Sequence, residues 1–382
     1  MSVKKNINLF TPKYHVEECL SQIRECLEIG WTGIGYKTVE FEEAWKKYTK
    51  LDNAHFLNSA TAGLHLAVEI LKEENDWKDQ DEVITTPITF VSTNHSILYC
   101  NLKPVFADID EYGCLCPKSI LSKINNKTKA VMFVGLGGST GKYEEIVKIC
   151  RENKLSLILD AAHMAGTYLN NEIPGKDSDV IVYSFQAVKN LPTFDSGMIC
   201  FKEKKFDEIA RKKSWLGINK DTFSRTNNLG SYKWKYDVEY VGYKYNGNSV
   251  AAGIGMVQLK YLDEENARRR EICKLYDKFL SSCESIQFVK TPENCLSSRH
   301  LYQILVENRD EVIENLNAEG IFPGVHYISN ANYRMFYSEN NKELIESEKF
   351  SNKSISLPLN LRMDEEDVKL VSEKLLKIIS KN

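Results

Sequence analysis

The sequence predicts an α/β protein: a large unit built on a mostly parallel sheet covered by helices, followed by a smaller C-terminal α+β unit. Three observations carry this reading. Between His55 and Phe201, short continuously apolar runs alternate with amphipathic stretches, the pattern of strands buried on both faces and connected by helices. A long helical stretch follows, roughly Val250 to Ser281. Beyond Gln287 the alternation resumes on a smaller scale. At 382 residues the chain has room for two units, and the division expected is 1–250 for the larger and 251–382 for the connecting helix and the smaller.

Residues 13–28 read as a helix with Val16, Leu20, Ile23 and Leu27 on one side, and Cys19 and Cys26, also at helical spacing, read as core-facing. The glycines of Gly30 to Gly35 break it, and a second helix spans Thr38 to Tyr48. His55 to Leu57 is a strand, and the helix after it carries Leu64, Ala67, Val68 and Leu71 on one face. Further strands are Glu82 to Thr85, Pro104 to Ala107, Ala130 to Val134, Leu155 to Leu159, Val180 to Phe185 and Met198 to Phe201. Helices Asn94 to Cys100 and Glu144 to Glu152 lie among them. Ser214 to Tyr245 lacks periodicity and reads as a long ordered loop of the kind that serves a site or an interface. In the smaller unit, strand His300 to Val306, helix Asp310 to Glu319, a strand near Gly324 to Tyr327 and helix Glu365 to Ile379 are expected, with Ser356 to Leu359 as a buried linker.

A net charge of −3 leaves no electrostatic footprint for nucleic acid. No apolar run follows the first lysines and none is long enough to span a bilayer, so a cytoplasmic protein is expected, without a membrane partner. The ten cysteines then read as free thiols. Cys114 and Cys116 have no second pair or nearby histidine to complete a zinc set, and no metal is assigned.

The chemistry centres on Lys189, where a strand ends among Ala187, Val188 and Leu191. An ammonium stripped of hydration becomes a neutral amine, the form that attacks a carbonyl to make a Schiff base. A loop lysine that snorkels to water is the plain alternative. Asp160 ends an apolar strand before Ala161 and Ala162, where open α/β sheets bind ligands and where helix-capping aspartates are also common. Ser59, Ala60 and Thr61 open a helix whose unpaired N–H groups suit an anion, and Ser184 could add a hydroxyl. Phe90 lies between a strand and a helix, where its ring could stack on a heterocycle or simply fill a core. Each is weak alone. Their order along the chain, anion-binding helix start, aromatic, strand-end Asp, strand-end Lys, is that of a pyridoxal-phosphate (PLP) enzyme of the aspartate-aminotransferase fold.

Beyond that order, the chain resembles the DegT/StrS-type sugar aminotransferases over nearly its whole length. The matching pieces include GWTGIG (30–35), NSATAGLHLA (58–67), DEVITTPITFVST (81–93), LILDAAHMAG (157–166), YSFQAVKN (183–190), GYKYNGNSVAAGIGMVQL (242–259), GVHY (324–327) and SLPL (356–359). The resemblance implies a seven-stranded sheet and PLP, cycling through pyridoxamine 5'-phosphate, on Lys189. It implies Asp160 on the pyridine nitrogen, His163 on the ring hydroxyl, Ala60, Thr61 and Ser184 on the phosphate, and Phe90 on the ring face. Asn246 would reach a partner's phosphate in a homodimer with shared sites, and Thr32, Gly33, His326 and Tyr327 would border the substrate. Retention of Lys189, which some relatives replace by histidine, favours transamination over removal of a hydroxyl.

Two segments depart from the family. Phe194-Asp195-Ser196-Gly197 stands for the usual Gly-Glu-Gly-Gly, with a bulky Phe expected to reshape the sugar pocket. Val134 to Lys142, VGLGGSTGK, replaces a more frequent aromatic-Gly-Gln type and lacks the spacing of a P-loop. The expected reaction moves an amine from an amino acid, L-glutamate, to a nucleotide-linked 4-keto-6-deoxyhexose. A 3-keto sugar, a cyclitol ketone or another keto-sugar is the alternative acceptor, and a catalytically silent regulatory relative is the alternative class.

Overall fold

Successive side chains of a strand point to opposite faces, and the central strands are apolar at every position because both faces are covered. The computed structural model describes residues 6–219 and 236–380. In chain order its principal elements are β1 (Ile7–Asn8), α1 (Val16–Ile29), α2 (Tyr36–Thr49), β2 (His55–Leu57), α3 (Ala60–Glu74), β3 (Glu82–Thr85), α4 (Val91–Tyr99), β4 (Lys103–Phe106), α5 (Pro117–Lys123), β5 (Thr128–Val134), α6 (Tyr143–Asn153), β6 (Ser156–Asp160), β7 (Tyr168–Leu169), β8 (Val180–Ser184), β9 (Gly197–Phe201) and α7 (Lys204–Ser214). After them come α8 (Ser249–Leu280), β10 (Gln287–Phe288), β11 (Cys295–Leu296), β12 (Tyr302–Leu305), α9 (Arg309–Ala318), β13 (Ile321–Phe322), α10 (Ile345–Lys353), β14 (Ser354–Leu357) and α11 (Glu365–Ile379).

The main sheet has seven strands in the order β2-β9-β8-β6-β5-β3-β4. β9 runs antiparallel to both β2 and β8, and the remaining pairs are parallel. Leu157, Leu159, Val131, Phe133, Ile181 and Tyr183 pack into the core on one face. Ile158, Ala130, Met132, Val180 and Val182, the alternate residues, pack into the core on the other. The expected parallel sheet is therefore present, with strands within a residue or two of their predicted bounds.

A second, three-stranded antiparallel sheet, β10-β12-β14, carries its own core with α9, α11 and the end of α8. Two expectations are corrected in this smaller α+β unit. Ser354–Leu357 is the strand β14, paired along its length with Tyr302–Leu305, so this segment is sheet and not a linker. No strand runs from Gly324 to Tyr327. The strand nearby is β13, which ends at Phe322 because Pro323 has no N–H to donate, and Gly324 makes only an isolated bridge to Ser356. β13 pairs in parallel with β1, so the chain's first strand joins the small unit.

α1 buries Cys19 and Cys26, as their spacing predicts, but its stripe of larger apolar residues is mostly turned outward, with Val16, Leu20 and Leu27 56%, 50% and 62% exposed. Only Ile23 of the predicted stripe packs inward, beside Cys19 and residues of α8. Of the long loop expected from Ser214 to Tyr245, residues 220–235 lie outside the described residues, and its flanks meet in bridges Trp215–Lys244 and Ile218–Val238. All ten cysteines are free thiols.

Candidate active site

The parallel strands end together, and their carboxyl ends frame one cavity of about 400 Å³. β6 brings Asp160 to its floor, and β8 brings Ser184 and, five residues on, Lys189 to its side. The start of α3 brings Ala60 and Thr61, the start of α4 brings Phe90 and Thr93, and the loop after β13 brings His326 and Tyr327. His163, on the turn after β6, completes the set. Nine of the twelve residues singled out from the sequence thus line one space.

Lys189 is partly buried, because the cavity reaches it, yet the packed surroundings lower its pKa from 10.5 to about 8. Burial is the main cause, opposed by the charge of Asp160. Among the described residues, no hydrogen bond or ion pair engages its Nζ. Asp160 is buried, and burial raises its pKa against the Thr93 hydroxyl, the Ala162 N–H and Lys189. Thr93 Oγ1 donates to Asp160 Oδ2 at 2.8 Å, and the Ala162 N–H donates to Oδ1 at 3.1 Å. That carboxylate is held on both oxygens by its own chain and is not a helix cap.

α3 opens with an extended Ser59, whose Oγ accepts from the Ala62 N–H. Ala60 and Thr61 are the first two residues of α3, where N–H groups have no intrahelical carbonyl to bond, and both residues line the cavity. The sheet reaches this helix start because residue 197 is glycine: a Cβ there would lie 2.7 Å from the Ala60 nitrogen. Ser184 Oγ, at the end of the adjacent strand, accepts from the Gln186 N–H at 3.4 Å.

Three histidines surround the lysine, all shifted toward the neutral form by burial: His163 and His300 well below the ordinary value, His326 to about 4. The Gly137 N–H donates to His163 Nδ1 at 3.2 Å, and Tyr327 Oη lies 3.2 Å from its Nε2. Neutral His163 therefore carries its hydrogen on Nε2, the nitrogen beside Tyr327. Gly137 belongs to the departing VGLGGSTGK segment, whose role here is to orient an imidazole. Phe90 is 59% exposed on the wall, its ring 6.1 Å from that of Tyr327, so it is a surface aromatic and not core.

Three predicted residues stand apart from the cavity. The Thr32 and Gly33 carbonyls accept from the Ser249 N–H at the start of α8. Asn246 bridges to Leu57 through its backbone, and its buried Oδ1 has no partner. Phe194 is 52% exposed and off the wall, while Asp195 and Ser196 are on it. Phe10, Thr89, Thr93 and His300 were not singled out from the sequence and line the cavity. Thr89 and Thr93 lie in the same TPITFVST segment as Phe90, Thr89 just before the α4 N-cap and Thr93 in the first turn.

Among the described residues, no helix is long and apolar enough to cross a membrane, and no cluster of His, Cys, Asp or Glu is placed to hold a metal.

The model of the DegT/DnrJ/EryC1/StrS aminotransferase family matches residues 13–376. The chain is 30% identical to the dTDP-4-dehydro-2,3,6-trideoxy-D-glucose 4-aminotransferase of Saccharopolyspora spinosa, over 98% of this chain and 97% of that protein. It is 31% identical to the UDP-4-amino-4,6-dideoxy-N-acetyl-beta-L-altrosamine transaminase of Campylobacter jejuni, over 91% of each. A putative sugar aminotransferase of Streptococcus pneumoniae in its PLP form superposes with a TM-score of 0.90 at 25% identity, covering 99% of each chain.

Proposed function

The chain belongs to the DegT/DnrJ/EryC1/StrS aminotransferase family, and on that premise we propose that it binds PLP in the Lys189 cavity and transfers an amine from L-glutamate to a nucleotide-linked 4-keto-6-deoxyhexose. The observation that carries the proposal is a lysine with a pKa near 8 opening on the same cavity as a buried carboxylate and an unpaired helix start. The nucleotide-sugar acceptor is supported by the relatives from Saccharopolyspora spinosa and Campylobacter jejuni, whose names specify a dTDP-linked and a UDP-linked sugar reaction.

The residues fit the cofactor. Two free N–H groups at a helix start, with the Ser184 hydroxyl beside them, suit a phosphate. A buried carboxylate suits a protonated pyridine nitrogen, and the Nε2–H of His163 suits a ring oxygen. When bound, PLP supplies an electron sink for the charge left as a carbon next to nitrogen loses its proton.

The chain's own part is to position and to move protons. Lys189, neutral in a substantial fraction near pH 8, is the nucleophile and the carrier that removes and returns the substrate proton. Two donors grip Asp160 and oppose its burial, which favours the neutral acid. Burial of the three imidazoles keeps them uncharged, so none competes with Lys189 as a cation or raises the cost of its protonated form further. Phe90 and Tyr327 wall the cavity on the open side and limit water.

A homodimer completes the proposed site. Thr32, Gly33 and Asn246 do not reach their own cavity, and the exposed apolar stripe of α1 needs a cover. A second copy supplies that cover in this reading and brings the three residues to the partner's cavity.

The test is an absorbance spectrum of purified protein with PLP, then glutamate, then a panel of nucleotide keto-sugars. A visible lysine-linked band, bleached by glutamate and restored by one sugar, is expected. The band should be missing in Lys189→Ala, which should still bind PLP without a covalent link and lose turnover by several orders of magnitude. Bleaching that no nucleotide sugar reverses would move the acceptor outside this class, and absence of the band would reject the PLP reading.

A further inference from the structure

Asp160 would be a poor anion on burial alone, and the strongest opposing influence is a hydroxyl, ahead of the Ala162 N–H and the Lys189 charge. Thr93 is itself buried, on the first turn of α4, and its Oγ1 lies between two partners. One is Asp160 Oδ2 at 2.8 Å, the other Thr89 Oγ1 at 2.8 Å. The hydrogen positions follow from chemistry. An ionised carboxylate only accepts, so Thr93 spends its single hydrogen on Asp160. The hydrogen between the two threonines must then come from Thr89. The result is a directed chain, Thr89 to Thr93 to Asp160, that starts on the cavity wall and ends at its floor.

We propose that Thr93 is a positioning residue of this site: backed by the Thr89 hydroxyl, it fixes the Asp160 carboxylate in one orientation and holds it as an anion facing the cavity. The β-branched side chain has few rotamers inside a helix, so the donor is in place before any ligand arrives. The other titratable groups around Asp160 are Lys189, from the loop after β8, and Tyr327, from the loop after β13, whose hydroxyl is kept protonated first by burial and then by the Asp160 charge. His163, on the turn after β6, is held neutral by burial, with the Lys189 charge adding to the effect. None of these donates a hydrogen bond to the carboxylate among the described residues, so the task falls to Thr93 and the Ala162 N–H. The consequence for a bound pyridine ring rests on the PLP reading above, but the hold on Asp160 does not.

The experiment therefore begins with protein free of cofactor. Infrared difference spectra are recorded across pH for the wild type, Thr93→Val, Thr93→Ser and Thr89→Val, with Asp160→Asn identifying the Asp160 band. Loss of one hydrogen bond to a charged group is expected to raise the Asp160 midpoint by about one pH unit in Thr93→Val. Thr93→Ser, which keeps the donor, should return to the wild-type midpoint. Thr89→Val, which leaves the bond to Asp160 and removes the one behind it, should shift in the same direction by less. Should Thr93→Val not fold, Thr93→Cys, a weaker donor, takes its place with the same expected rise. A midpoint unchanged in these variants would overturn the proposal. PLP affinity is then measured by fluorescence titration, and about tenfold weaker binding is expected in Thr93→Val. A wild type that binds no PLP while the infrared shifts stand would reject the cofactor reading and leave the role of Thr93 intact.

Discussion

Lys189 carries a cost that the fold bears in order to have a nucleophile. In an unfolded chain its amine titrates near 10.5, and in the fold at about 8. Between those values the unfolded state binds more protons, so stability rises with pH; below about 8 the penalty is present in full. Cofactor-free Lys189→Met is expected to be more stable than the wild type near pH 7, by roughly 1–3 kcal/mol. The advantage should shrink as pH rises from about 8 toward 10.5, as followed by denaturant unfolding across pH. An advantage that does not change with pH would mean that the amine keeps its hydration. At this scale the sequence showed Lys189 and Asp160, because each stands at or just beyond the end of an apolar strand and their order with the α3 start and Phe90 marks a ligand site. It did not show Thr93 or His300, whose partners Asp160 and Asn190 lie 67 and 110 residues away. Local pattern has no access to such pairs.

At the scale of elements, the site depends on β9 lying close to the start of α3. Gly197 permits it, with the Ser59 carbonyl carbon and the Ala60 nitrogen 2.8 and 2.7 Å from where a Cβ would stand. These are backbone atoms and cannot swing aside. Gly197→Val is expected to destabilise the protein by about 1–3 kcal/mol and to tilt the two N–H donors away from their target. Phosphate or PLP affinity should fall by about tenfold or more, while the overall secondary structure by circular dichroism stays. Unchanged affinity would place the anion elsewhere. The neighbouring buried group of Glu42, His55 and Ser214 shows how a motif misleads at this scale. Glu42 Oε1 lies 3.0 Å from His55 Nδ1, and His55 Nε2 lies 2.7 Å from Ser214 Oγ, the order of a hydrolase triad. But Ser214 is fully buried and its hydroxyl donates to the Arg211 carbonyl at 3.1 Å, so no substrate meets it. With Arg211, which donates to Glu42 Oε2 at 2.8 Å, the group ties α2, β2 and α7 together.

For the whole molecule, the exposed stripe of α1 is the feature that a single chain does not explain. Apolar residues at 16, 20 and 27 fall on one helical face, and burying each against a partner would contribute about 1.5–3 kcal/mol. If a second copy covers them, Leu20→Asp combined with Leu27→Asp should convert a dimer to a monomer in light scattering. The same variant should lose most transaminase activity, because the partner's Asn246 is withdrawn. A variant that stays dimeric would place the interface on another face.

Much of this protein was open to reading along the chain. Strand period, helix period and the residue types at strand ends depend on neighbours within a few positions. They were enough for the parallel sheet, the order of its strands and helices along the chain, and Ala60, Thr61, Phe90, Asp160, Ser184 and Lys189 on the cavity, whereas His163, His326 and Tyr327 came from the family resemblance. For α1 they marked the cysteines as core-facing but left the exposure of the larger apolar stripe undecided. Two stripes, one of cysteines and one of larger apolar residues, lie side by side on that helix, and only the position of α8 decides which is buried. The same holds for β14, taken as a linker until β12 is seen beside it, and for the hydroxyl chain that secures Asp160. Each is a choice between locally equivalent options, and the free energy that makes the choice comes from a partner distant in sequence.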